Sequence, residues 1–167
     1  MNDTASAILD AAEERIRSAG YSGFSFRDVA ADVGVKASSV HYHFPAKEKL
    51  AAAVARRYTD RFLEAVENEL AQGTDVVQAW RQVFRAALHR DGRMCLCGAL
   101  AVTSYDLADE VREEVKRFFV LGIEKLMKDG LTKDAAVQVL ATLEGAMLAA
   151  NILDDQSIFE SGSAALA

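Results

Sequence analysis

Ser38, Ser39, His41 and Tyr42 stand within five residues of one another, and their side chains are short hydroxyl donors and flat rings with no core to enter. Groups of that kind suit the major groove of DNA, where an α-helix fits and base edges offer donors and acceptors. Basic residues flank them. Arg27, Lys36 and Lys47, with Ser25, are of the types that hold phosphates and set a protein's register on a duplex without reading its sequence. Two other constellations have weaker chemistry. His41 and His43 are two apart, so on a helix they do not face each other, and no third ligand lies at a metal-binding spacing. Cys95 and Cys97 point roughly 200° apart on a helix and are too close for an ordinary structural disulfide. Small cysteines packing a helix are the plainer reading, and a thiol or soft-metal sensor with His89 nearby is the sharper one.

The elements that would position the groove-facing residues are legible in the same stretch. Ser25 can accept from the first-turn amides while Asp28 reaches back, close to a capping box, so a helix begins at about Phe26. Val29, Ala30 and Val33 give it one buried stripe, and Gly34 supplies the permissive backbone that ends it. After the Gly34-Val35 turn a second helix runs from about Ala37 to Phe44, burying Val40 and Phe44. Pro45 disfavours helical geometry at Phe44 and stops it, and a long helix starts at Ala46. Two short helices about a tight glycine turn make a helix-turn-helix.

This pattern resembles the DNA-binding domain of the tetracycline-repressor (TetR) family of bacterial transcription regulators. The likeness rests on an apolar first helix from Ile8 to Ala19, on Phe24-Ser25-Phe26 leading into the second, and on Gly34-Val35. It continues through His41-Tyr42-His43-Phe44 and Pro45-Ala46-Lys47-Glu48-Lys49-Leu50. Two positions depart from the family pattern. Lys36 replaces the usual capping Ser or Thr, leaving the third helix to be capped by Ser38 or by phosphate. His41 stands where Tyr is commonest, with the Tyr moved to 42. The resemblance implies an all-α fold with a helix-turn-helix DNA-binding head, residues 1–46, and a helical effector-binding and dimerisation body, residues 47–167.

Composition agrees with that division. The chain of 167 residues is 51% hydrophobic, enough for a sizeable core. Its net charge of −6 is no obstacle to DNA, because a local basic surface suffices and the acidic excess falls mostly in the later helices. The N-terminus runs directly into an amphipathic helix, no apolar run is an evident membrane span, and the expectation is a cytoplasmic protein without a membrane partner. No nucleophile motif, phosphate loop or acid-base pair points to an enzyme, and none points to a cofactor.

Beyond Leu50, helix-period stripes predict long helices over 46–72, 75–89, 107–127 and 132–153, a short one over 95–104 and a last one from 156. Large residues able to line an effector pocket are Trp80, Phe84, Leu88, Leu100, Tyr105, Phe118, Phe119 and Leu121, with Thr103 and Ser104 as polar anchors. They would suit an apolar or aromatic small molecule. On the penultimate helix Val137, Leu140, Glu144, Met147 and Asn151 form a seam of three- and four-residue steps, opposite a second apolar face of Val139, Leu143, Ala146 and Ala150. By the resemblance, one face meets the body and the seam meets a second subunit, so that two heads reach one near-palindromic operator. The expected function is a dimeric repressor released from DNA by a small, largely apolar molecule. A degenerate family member serving as a helical interaction module is the alternative.

Overall fold

The computed structural model describes residues 3–166 and is all-α, with no strand among them. The helices are α1 (Asp3–Ala19), α2 (Phe26–Val33), α3 (Ala37–His43), α4 (Lys47–Ala71), α5 (Val76–Asp91), α6 (Leu96–Ala101), α7 (Asp109–Lys128), α8 (Lys133–Ile152) and α9 (Ser157–Ser163). A single 3-10 turn, Ser104–Asp106, precedes α7. Breakers written in the sequence account for most of the boundaries. Gly34 and Gly92 end α2 and α5 in the left-handed conformation, with φ of 75° and 71°, and Asp75 and Thr132 cap α5 and α8 through their side-chain oxygens.

The chain forms two compact units. The first comprises the residues up to Tyr58 together with Leu96–Lys116, the second Thr59–Cys95 together with the residues from Arg117 onward, so α4 and α7 each contribute to both. In the first unit α1 packs against α2, α3 and α6. Its core includes Ile8, Ala12 and Ile16 of α1, Val29, Val40, Leu50 and Val54, with Leu96, Leu100 and Val111. Charged groups pin the helices at its edge. Arg57 reaches Asp10 at 2.7 Å and the buried Glu13 at 3.5 Å, and Arg15 makes two 2.7 Å bonds to Asp32, a bidentate pairing that fixes α2 on α1.

In the second unit α8 packs on α5 and, most extensively, on α9. Phe62 sits at the centre of an aromatic cluster, its ring 5.6 Å from Trp80, 5.0 Å from Phe84 and 5.3 Å from Phe118. Gly122 lets the indole approach, since a Cβ there would lie 3.1 Å from the Trp80 ring. Arg81 and Arg85 of α5 both bind Glu160 of α9, and Arg81 also donates to Ser163 Oγ at 2.9 Å. Among the described helices α8 is long and apolar enough to cross a membrane by length and composition. One face of it is engaged in the core, where Ala136, Val139, Leu140, Leu143, Met147 and Ala150 are buried.

The Ser25 cap carries a measurable share of local stability. Ser25 Oγ accepts the Asp28 amide at 3.3 Å while the Ser25 amide donates to Asp28 Oδ2 at 3.1 Å. The same hydroxyl, donating to Asp28 at 2.6 Å, holds that carboxyl below its usual range. Ser25→Ala removes the side-chain half of the pair and is expected to cost about 1 kcal/mol, read as a lower urea midpoint. An unchanged midpoint would show that the cap adds nothing.

Candidate functional site

The helix-turn-helix is built by three local devices. The capping box starts α2 at Phe26. The Gly34 amide then bonds back to Ala30 and Ala31, and the Val35 amide to Ala30 at 2.9 Å, turning the chain within two residues. Val40, fully buried, anchors α3 on the core, and the Phe44 amide bonded to Val40 closes the helix before Pro45. With its one inward residue taken, α3 presents the rest of its surface outward.

Ser25, Arg27, Lys36, Ser38, His41 and Tyr42 are all exposed, and Ser39 and Lys47 are half-buried. Tyr42 is 84% exposed, an unusual position for a large ring, and its neighbour is the edge of His43 at 5.1 Å. His41 is steered by Phe26, whose ring lies 4.5 Å away in an edge contact, so the side chain that replaces the commoner Tyr is held by the start of α2. The Ser25 hydroxyl is engaged with Asp28. Lys36 occupies the N-cap of α3 without a side-chain hydrogen bond to the helix, and no other side chain caps it, which sets aside the expectation that Ser38 does so.

Lys47 is placed by contacts that local spacing does not reveal. Its ammonium lies 4.8 Å from the centroid of Tyr21 and 4.7 Å from that of Phe24, a cation–π seat on two rings of the α1–α2 connection. Burial there lowers its pKa. Lys49, one turn face away, is paired with Glu110 at 2.7 Å.

Residues 8–54 match the model of the family described as bacterial regulatory proteins, tetR family. Over nearly the whole chain the fold is that of a TetR transcriptional regulator from Legionella pneumophila, at 28% identity and a TM-score of 0.88, covering 99% of this chain and 96% of that one. The chain is thus similar to the TetR family in its helix-turn-helix and in its fold. A TetR-family regulator from Agrobacterium tumefaciens has the same fold, with a TM-score of 0.88 at 24% identity and coverage of 96% and 94% of the two chains. The HTH-type transcriptional repressor DhaR of Mycobacterium sp. (strain GP1) is 28% identical over 111 residues, 65% of this chain, and the match spans 56% of that repressor's length.

The residues expected to line an effector pocket divide between the units. Trp80, Phe84, Leu88 and Phe118 are buried in the second, with Phe119 and Leu121 half-buried there. Leu100 is buried in the first, where Thr103 is exposed and Tyr105 is 97% exposed. The Ser104 side chain lies outside the described residues. Phe62, the hub of the aromatic cluster, was absent from the expected lining because its four-residue stripe with Tyr58 and Val66 reads only as core.

The seam expected on α8 turns out differently. Leu140 and Met147 are closed inside the protomer, while Val137 and Asn151 stay exposed, and the segment from Gly92 to Cys95 lies against the later part of the seam. Asn151 Nδ2 donates to the Gly92 carbonyl at 2.7 Å, the Cys95 amide donates to Met147 Sδ at 2.9 Å, and the Glu144 carboxyl faces the Cys95 thiol. Both Glu144 oxygens are sealed from solvent, and burial pushes this carboxyl up to about 7, the thiol offsetting part of the rise. The apolar stripe that does reach the surface is displaced around the helix. It comprises Val137, Ala141, Gly145, Leu148 and Ile152, of which Ile152 is 78% exposed.

Proposed function

We propose that this protein is a dimeric repressor, held in the cytoplasm, whose paired α3 helices enter successive major grooves of a near-palindromic operator and which a small, largely apolar molecule releases. The observation that carries the reading is the face of α3. One residue anchors the helix in the core, and Ser38, Ser39, His41 and Tyr42 are left outward for base edges, flanked by Arg27, Lys36 and Lys47 for phosphates. Head (residues 1–46) and body (residues 47–167) divide these tasks. The name of the DhaR repressor supports the sign of regulation, and similarity to a family of transcription regulators supports a non-enzymatic role.

Dimerisation through the α8 stripe has its own support. A Cβ at Gly145 would meet nothing within 4 Å inside the protomer, so the small residue leaves room for a second helix rather than for a neighbour of its own chain. Val137 and Leu148, at 43% and 47% exposure, flank it with apolar surface. Release is a population shift, requiring an effector that prefers the conformation unable to bind DNA.

A salt-titrated binding assay on the DNA upstream of its own gene, with unrelated duplex as competitor, tests the reading. Specific binding with a steep salt slope is expected; binding no tighter than to competitor would favour an interaction module with a silent head. In the same assay Lys47→Met should weaken binding to every sequence and lower the salt slope by about one. Equal slopes for variant and parent would remove Lys47 from the phosphate contacts.

A further inference from the structure

Lys47 holds an unfavourable place for a cation. It is the first residue of α4, where the helix dipole disfavours positive charge, and no carboxylate is paired with it among the described residues. Lys49, two residues on, is spent on Glu110 at 2.7 Å. The cause that acts on Lys47 is burial alone, which lowers its pKa as desolvation without a counterion does.

A corner of two rings holds it instead. Tyr21 and Phe24 meet edge to face, their centroids 6.1 Å apart and their planes at 74°, and the ammonium lies 4.8 Å from one centroid and 4.7 Å from the other. Gly23, between the two aromatic residues in the chain, packs so closely on the end of α1 that a Cβ there would lie 2.3 Å from the Ala19 carbonyl oxygen. The α1–α2 connection therefore folds tightly on the helix it leaves. Phe24 is fixed in the core at 2% exposure, and Tyr21 is half-buried.

Rings of this kind are a seat and not a counterion. A ring face attracts an ammonium through its quadrupole but leaves the charge uncompensated. It also fixes a four-carbon stem that is otherwise rich in rotamers, so the ordering cost is met before any partner arrives. Lys47 is half-buried, which leaves one side of the ammonium open. A placed, unspent cation beside the helix-turn-helix is suited to an anion that comes from outside.

We propose that Tyr21 and Phe24 are positioning residues for DNA binding, holding the Lys47 ammonium uncompensated at the start of α4 so that a phosphate of the duplex closes on its open side. This rests on the DNA-binding reading above and adds to it the groups that place the cation.

The test measures binding of the full-length protein, at fixed salt, to the DNA upstream of its own gene and to unrelated duplex. Tyr21→Leu removes one ring face and keeps an apolar side chain, whereas Tyr21→Phe keeps the face; melting temperatures report whether each variant is folded. Tyr21→Leu is expected to weaken binding to both duplexes about twofold to tenfold, the cost of ordering a long side chain anew, and Tyr21→Phe to bind as the parent does. In a Lys47→Met background Tyr21→Leu should have no further effect, because the ring acts through the ammonium. Unchanged or tighter binding by Tyr21→Leu, or an equal loss with and without Lys47, would overturn the proposal, the rings then being idle, in competition with phosphate or mere support for the fold. A second readout needs no leucine variant: the Lys47 Cε–H proton signal of the parent should be displaced upfield by the rings and stay displaced when duplex is added. A signal at the ordinary lysine position, with or without DNA, would overturn the proposal too. A parent that binds neither duplex sinks the DNA-binding reading and this proposal with it, whereas a parent that binds while the variants are indifferent sinks this proposal alone.

Discussion

Replacing Tyr42 with alanine should lower operator affinity about tenfold to a hundredfold, about 1–3 kcal/mol, the range for one lost base contact. The ring is 84% exposed and touches the edge of His43, so the fold loses almost nothing when it is removed and the urea midpoint should stay within experimental scatter. The salt slope should also stay where it was, because an uncharged ring displaces no counterions from the phosphates. That combination separates Tyr42 from Lys47, for which the slope falls. If Tyr42→Ala binds operator and competitor as the parent does, the base-reading surface lies elsewhere on the head. If it loses slope together with affinity, the ring has been holding the backbone in place and its assignment to base edges is wrong.

The second large effect belongs to Glu144→Gln. Burial raises this carboxyl from an ordinary 4.5 to about 7, so between those values the native state holds a proton that the unfolded chain has released. Stability is therefore greatest below about 4.5 and falls as pH rises through 7, and the whole interval is worth about 3 kcal/mol. Gln cannot ionise. The variant should resemble the parent at pH 5 and exceed it at pH 8 by up to about 3 kcal/mol, compared by urea unfolding at the two pH values. A difference between the proteins that is the same at both would mean that the folded state does not raise the Glu144 carboxyl above its ordinary range.

Much of the head was legible because its signals are local. Ser25, Asp28, Gly34 and Pro45 act on residues within a turn of themselves, and the helices they delimit begin and end within one or two residues of the places those side chains predict. The body helices were legible for the same reason, from stripes of period near 3.6 and from breakers such as Gly73 and Gly130. What escaped depends on chain segments far apart in sequence. The apolar spacing of Leu140, Glu144 and Met147 is equally consistent with a partner subunit and with the chain's own return, and only the structure brings Cys95 onto Met147 and Glu144. Lys47 has the type and position of a phosphate ligand, but its cation–π seat on Tyr21 and Phe24 requires the α1–α2 connection to fold back beside the start of α4. An aromatic pair just before a capping box is a signal that could have prompted the search.

The interleaving of the two units has a consequence for biosynthesis. The first unit takes its core from residues up to Tyr58 and again from Leu96–Lys116, so the helix-turn-helix emerges from the ribosome well before the residues that complete its packing. At common elongation rates the delay is on the order of 3–12 s. During it, α1 has α2 and α3 to pack on but lacks the α6 surface. A nascent chain stalled before Leu96 should consequently be a ready client for chaperones that hold exposed apolar helices.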